Sequence, residues 1–252
     1  MGRSRDPVFT SKEPMVTLDP EDLRLAVYRD LARTGRAPTT TELAARLDLS
    51  VPEVRDGLHA LAAARHFVLD ADERVLMAHP FATIPLGFSV MGRETLWWGG
   101  CAWDSFALPH LLADEPEVLV STRCPGCGRA LAWVVGRDAP PAGEQVAHFL
   151  IPVKRMWGDV VHTCGNQRLF CGRACVESWL AASANERGYV MDLATLWRLA
   201  SHWYDGRLEP GYTRREPAAA ATYFQSVGLR GPFWGLDDQQ GNHRQAAPTA
   251  TS

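Results

Sequence analysis

Six cysteines are the residues of this chain best suited to chemistry, and all six fall between Cys101 and Cys175. Cys101-Ala102-Trp103-Asp104 comes first. If a helix begins there, Cys101 stands at its N-terminal end and Asp104 lies one turn on, on the same face. A helix N-terminus favours a thiolate. A nearby carboxylate opposes it, because like charges disfavour ionisation. The pair suits a site where one proton is shared or passed between sulfur and oxygen. A buried cysteine followed by a capping aspartate has the same spacing, so that reading stays open. Cys164 lies in Val160-Val161-His162-Thr163-Cys164-Gly165-Asn166 and reads as a strand end. His162 beside it could lower its pKa, or Cys164 could be an inert core thiol.

The other four cysteines come as two pairs, Cys124-Pro125-Gly126-Cys127-Gly128 and Cys171-Gly172-Arg173-Ala174-Cys175. The first is a tight knuckle that places two thiols side by side. The second puts two thiols near a helix start. Together they supply the four ligands of a tetrahedral structural zinc. Free or redox-active thiols fit the same spacing.

The surrounding composition limits what these groups can serve. The chain has 252 residues, 46% of them hydrophobic, and 26 Lys+Arg against 29 Asp+Glu give a net charge of -3. That length can bury a core without disulfides, and that charge argues against a basic nucleic-acid or membrane-surface binder. No apolar run is long enough to span a bilayer. Residues 1–12 are polar and basic with no apolar h-region, so no signal peptide is expected and the chain reads as cytoplasmic. In that compartment cysteines serve metals or catalysis more often than disulfides.

The elements that must position the cysteines fall into two groups. Residues 1–18 read as a disordered leader. Asp19-Pro20-Glu21-Asp22 starts a helix with Leu23, Val27 and Leu31 on one face and Gly35 at its end. Thr40 or Thr41 starts a second helix, and Ser50 caps a third. Phe67-Val68-Leu69 and Arg74-Val75-Leu76-Met77 form a hairpin. Three helices and a hairpin over residues 19–78 predict a winged helix-turn-helix-like domain. Residues 19–75 hold eight arginines against eleven acids, and a DNA reader needs phosphate-neutralising cations. A structural role is therefore preferred. Residues 79–236 alternate short strands (near 88–90, 117–121, 130–135 and 146–152) with helices (near 103–112, 173–182 and 191–204), which predicts a mixed α+β domain. From Asp237 to Ser252 the chain reads as a disordered tail.

Two segments carry a resemblance. Trp97-Trp98-Gly99-Gly100-Cys101-Ala102-Trp103-Asp104-Ser105-Phe106-Ala107-Leu108-Pro109 resembles the active-site segment of the organomercurial (alkylmercury) lyase family: an aromatic residue, then Cys-Ala-x-Asp, then an apolar helix with a proline. Trp157-Gly158-Asp159-Val160-Val161-His162-Thr163-Cys164, with Leu169-Phe170 and Glu177-Ser178-Trp179 downstream, resembles the family's second cysteine segment. Cys124 matches a third family cysteine, regarded as structural. Cys127, Cys171 and Cys175 are additions to the family's simplest pattern. They could complete a zinc site with Cys124 or act as secondary mercury ligands.

The resemblance spans roughly residues 20–236 and implies the family's fold, including an N-terminal winged-helix-like domain. It implies protonolysis of a carbon–mercury bond to a hydrocarbon and Hg(II), with no cofactor required for catalysis and Hg(II) as bound product. Soft thiolates bind mercury best, and an acid must reach the carbon. Cys101 is the expected primary mercury-binding nucleophile, Cys164 the second thiolate and Asp104 the proton shuttle. Hg(II) would pass to cellular thiols or a mercuric reductase. Trp97, Trp98, Trp103 and Phe106 are the nearest aromatics to a substrate pocket, with most of them expected in the core. His110 and His162 receive no catalytic role. The alternative is a cysteine-rich Zn- or Hg-binding protein, or a metal-responsive winged-helix DNA-binding regulator, without lyase activity.

Overall fold

Capping chemistry sets the first three helices. In the computed structural model, which describes residues 19–237, Asp19 accepts a hydrogen bond from the Glu21 backbone N–H and opens α1 (Pro20–Thr34). Gly35 closes α1 in the left-handed region, at φ 69°. Thr39 with Glu42 and Ser50 with Glu53 form reciprocal capping boxes at the starts of α2 (Thr40–Leu47) and α3 (Val51–Ala63). Each box satisfies two helix-end donors that would otherwise be orphaned. The expected leader, and the tail from residue 238 on, lie outside the described residues.

A hairpin of β1 (Val68–Leu69) and β2 (Val75–Ala78) follows α3. Its second strand continues into the rest of the protein. Met77 and Ala78 pair with Ala82 and Phe81 of β3 (Phe81–Ala82). With β4 (Phe88–Met91), β5 (Leu96–Gly99), β6 (Glu117–Arg123) and β7 (Ala130–Gly136) they build one antiparallel sheet of order β1-β2-β3-β5-β4-β6-β7. Burial alternates along β6 and β7, with Val118, Val120, Leu131 and Val135 inward and Leu119 and Val134 outward. One face of this sheet meets the core and the other meets solvent.

The inward face packs on α4 (Ala102–Leu111), whose residues 102–109 are all buried. A helix buried on nearly every side belongs in a core rather than on a surface. Its far side meets α7 (Leu193–Ser201). Arg137 reaches across from the end of β7 to the carbonyls of Pro109 and Leu112 and so caps the C-terminal end of α4. A second antiparallel sheet has the order β10-β8-β9, from β8 (Val146–Phe149), β9 (Gln167–Phe170) and β10 (Tyr189–Asp192). Three further helices, α5 (Val160–Gly165), α6 (Arg173–Ser183) and α8 (Pro217–Ser226), complete a mixed α+β fold.

Three expectations need correction. Cys164 is not at a strand end: it lies in the last turn of α5. Val160-Val161 favours strand locally, but Asp159 accepts from the His162 N–H at 2.9 Å and caps a helix instead. The strand expected over 146–152 stops at Phe149, and a turn of 3₁₀-helix follows Pro152. The helix expected over 191–204 begins only at Leu193, because Tyr189–Asp192 pairs with β8 and Asp192 caps the helix behind it. No helix among the described residues is long and apolar enough to cross a membrane.

Candidate active site

Cys101 sits between the end of β5 and the start of α4, as the residue that caps the helix. Its Sγ accepts from the Asp104 backbone N–H at 3.3 Å, and its thiol donates to Asp104 Oδ2 at 3.2 Å. The two glycines before it allow this closeness. A Cβ on Gly99 would stand 2.0 Å from Ser105 Oγ, and one on Gly100 would stand 2.3 Å from Asp104 Oδ2. The chain therefore passes directly over the carboxylate.

Cys164 arrives from the other side, on α5, with its Sγ 4.0 Å from the same Asp104 Oδ2. Cys101, Asp104 and Cys164 are 2%, 1% and 4% exposed, so the cluster is almost dry. The structure thus brings the three sequence-selected groups around one carboxylate oxygen.

Two partners had no signal in the sequence. His79, in the loop between β2 and β3, places Nε2 at 3.3 Å from Cys164 Sγ. Tyr204, just beyond α7, donates its phenol to Asp104 Oδ1. Behind them Arg207 donates to the His79 carbonyl at 3.1 Å and to the Tyr28 hydroxyl at 3.0 Å, and it lies 4.8 Å from the Tyr204 ring. His79 and Tyr204 lie far from Cys101 along the chain, one before it and one after, and no local spacing ties either to it. Only the sheet pairing and the α4–α7 packing deliver them.

The two thiols differ in acidity for reasons visible in their neighbours. Burial first, then the adjoining Cys164 and Asp104 charges, push the Cys101 thiol well above its ordinary range. The Cys101 thiol bonding to Cys164, helped by His79 and opposed by burial, brings Cys164 down to about 7. For His79, burial works against the charge, but Asp104 and Cys164 outweigh it and raise its pKa. Burial and then the Asp104 charge hold the Tyr204 phenol firmly protonated. Cys164 is therefore the thiol readier to ionise, and Cys101 the one that keeps its proton beside an acceptor oxygen.

The cluster opens into a cavity of about 880 Å³. Trp103, Trp157, Trp203, Phe224 and Trp234 supply aromatic walls, and Arg65, Arg214 and Arg215 line it as well. Arg214 stacks on Trp157 at 4.6 Å. Of the aromatics near Cys101 in sequence, only Trp103 lines this cavity. Trp97 is buried and donates to the Leu31 carbonyl at 2.9 Å. Phe106 packs on Trp133 in the core. Trp98 lines a separate hollow of about 590 Å³ on the sheet, which holds none of the cysteines. His162 is exposed and bonds to Asn166, and His110 packs on Trp197. Neither touches the cluster.

The remaining cysteines gather elsewhere. Cys124 and Cys127 in the β6–β7 turn meet Cys171 and Cys175 at the start of α6, with one sulfur from each lying within 4.8 Å of the others. At the first site a ring nitrogen of His79, a carboxylate oxygen of Asp104 and the Cys164 sulfur likewise lie within 4.8 Å of one another.

Residues 81–205 match the alkylmercury lyase family. That span holds Cys101, Asp104, Cys164, Tyr204 and all four cysteines of the second cluster. Among solved structures, the chain is similar to the mercury-bound form of MerB2, with 18% sequence identity and a TM-score of 0.56, covering 74% of this chain and 91% of that one. The likeness shows a shared mixed α+β fold. No curated protein matches the sequence.

Proposed function

We propose that this chain, whose residues 81–205 are an alkylmercury lyase domain, cleaves carbon–mercury bonds by protonolysis with Cys101, Cys164 and Asp104. The observation that carries the reading is a single carboxylate oxygen, Asp104 Oδ2, set 3.2 Å from one buried sulfur and 4.0 Å from another. Two soft ligands and an acid at one dry point are what the reaction requires.

The acidities support an order for the thiols. Cys164, the readier thiolate, displaces the thiol that carries the substrate: R–Hg–SR′ plus Cys164-S⁻ gives R–Hg–S-Cys164 and R′S⁻. Cys101 was expected to capture first, but its proton is held beside Asp104. It engages second. Its proton passes to Asp104 as its sulfur bonds to mercury. Two sulfurs on mercury push electron density toward carbon and make the leaving group more basic. Asp104 then gives the proton to that carbon. The C–Hg bond breaks, R–H leaves, Hg(II) stays on both sulfurs, and the carboxylate is restored. Two solution thiols, or a mercuric reductase, then exchange onto Hg(II) and return both cysteines.

The aromatic walls suit an apolar organic group, and Tyr204 fixes the other carboxylate oxygen. Residues 19–78 read as a winged helix that buttresses the site instead of reading DNA. Several of its cations are already engaged: Arg24 with Glu21, Arg46 with Asp30, Arg55 with Glu73 and Arg74 with Asp70. This counts against the regulator alternative. Incubation with phenylmercury and excess thiol tests the reading. Wild type releases benzene and the Cys101→Ala and Cys164→Ala variants release none. Full activity in either variant would refute it.

A further inference from the structure

The four cysteines outside the active site form a built metal site, and we propose that it holds a structural zinc ion independent of the mercury chemistry. All four are free thiols. Their sulfurs lie within 4.8 Å of one another, with Cys127 Sγ and Cys171 Sγ 3.5 Å apart. Zinc bound tetrahedrally to four thiolates at about 2.3 Å needs sulfurs about 3.8 Å apart. A pair of disulfides would need two separate couples, whereas here four sulfurs converge on one point.

The backbone around them is shaped to the same end. Gly128 donates to the Cys124 carbonyl at 2.8 Å and Cys124 donates to the Arg129 carbonyl at 2.9 Å, closing a tight knuckle. Gly128 has φ +73°, which an L side chain adopts only under strain. The Cys171 N–H points at Cys124 Sγ from 3.4 Å, and the Arg129 N–H bonds to Cys127. Backbone donors aimed at sulfur favour the thiolate that a metal requires. A Cβ on Gly126 would stand 2.2 Å from the Cys175 carbonyl oxygen, so the knuckle can seat on α6 only with glycine there. Gly172 gives α6 no side-chain cap, and Cys171 and Cys175 occupy that positive helix end.

The site bridges one segment from each of the two sheets. Its first pair belongs to the β6–β7 hairpin of the seven-stranded sheet, and its second follows β9 of the three-stranded sheet. The segment just before β9 is α5, which carries Cys164. Zinc here clamps the two sheets together and so holds the element that presents Cys164. It shares no residue with the Cys101–Asp104–Cys164 cluster.

Full-length protein, expressed with zinc supplementation and purified under reducing conditions, should carry about one zinc per chain by elemental analysis. The Cys101→Ala/Cys164→Ala double variant should keep that zinc, whereas Cys127→Ser and Cys171→Ser should lose it and melt earlier. The chelated Cys101→Ala/Cys164→Ala double variant titrated with Co²⁺ should show thiolate charge-transfer bands and tetrahedral d–d bands, a readout free of the active-site thiols that holds even if the serine variants fail to fold. Iron in place of zinc, zinc lost with the double variant, zinc retained in both serine variants, or no tetrahedral cobalt spectrum would each overturn the proposal.

Discussion

Tyr204 donates its phenolic hydrogen bond to Asp104 from a hundred residues further along the chain. The bond occupies Oδ1 and leaves Oδ2 facing both sulfurs. A carboxylate on a helix has several rotamers, and only the one clamped from behind keeps its free oxygen between Cys101 and Cys164. Arg207, against the Tyr204 ring and bonded to Tyr28, holds the tyrosine in turn.

Removing the phenol should therefore affect turnover more than mercury affinity. A hydrogen bond to a charged group contributes about 1.5–3 kcal/mol, or roughly 10- to 100-fold in rate. Tyr204→Phe should lower kcat for benzene release by that factor while Hg(II) still binds the two cysteines. An unchanged kcat in a folded variant would remove Tyr204 from the mechanism.

Capture should follow the ionisation of Cys164. Its folded-state pKa is depressed to about 7, so the thiolate is present above that pH and is protonated as pH falls through it. The second-order rate of phenylmercury capture, followed by stopped flow, should drop about tenfold per unit below pH 7. The same depression makes the folded state lose stability as pH falls through about 7. In His79→Gln the midpoint should move up, toward the ordinary thiol value of about 8.5. A profile that stays in place would mean that the imidazole does not act on Cys164.

How far this site could be read before folding depends on distance along the chain. Cys101 and Asp104 are a turn apart on one helix, so local spacing alone joins them. Joining Cys164 to them required a family resemblance, and the local reading even gave it the wrong element, because Val160-Val161 outweighed Asp159. His79 and Tyr204 were invisible: each is a common residue whose role comes from sheet order and helix packing. The capped helices and alternating strands were legible for the opposite reason, since their causes are local. The short pairings β3, β5 and β9 were not read as strands, whereas the equally short β1 and β2 were legible because they flank the turn-like residues 70–73.

Gly100 should tolerate no side chain. An added Cβ would lie 2.3 Å from Asp104 Oδ2 and 2.9 Å from Met77 Cε, so the carboxylate must turn aside. Misplacing a catalytic group by about 1 Å costs on the order of 100-fold. Gly100→Ala should thus lose about that much turnover while its titratable thiol count stays as in wild type, and the overpacking should also lower its melting temperature. Wild-type kcat in this variant would show that the carboxylate's position is not critical.

The N-terminal helices should prove inseparable from the rest of the chain. Arg207 bonds Tyr28 of α1 as well as the His79 carbonyl, and Trp97 of β5 donates to the Leu31 carbonyl of α1. Met77 and Ala78 are paired strand residues, so a cut after Ala78 severs the sheet instead of a linker. It would also uncover Trp97, now 2% exposed and bonded to the α1 backbone. Large apolar surfaces of that kind drive aggregation. A chain beginning at His79 should therefore be found in the insoluble fraction, and the full chain should unfold in a single cooperative transition by calorimetry. An autonomous DNA-reading module predicts the reverse, with two transitions and a truncated chain that stays soluble and releases benzene. Either of those results would overturn the buttress reading of residues 19–78.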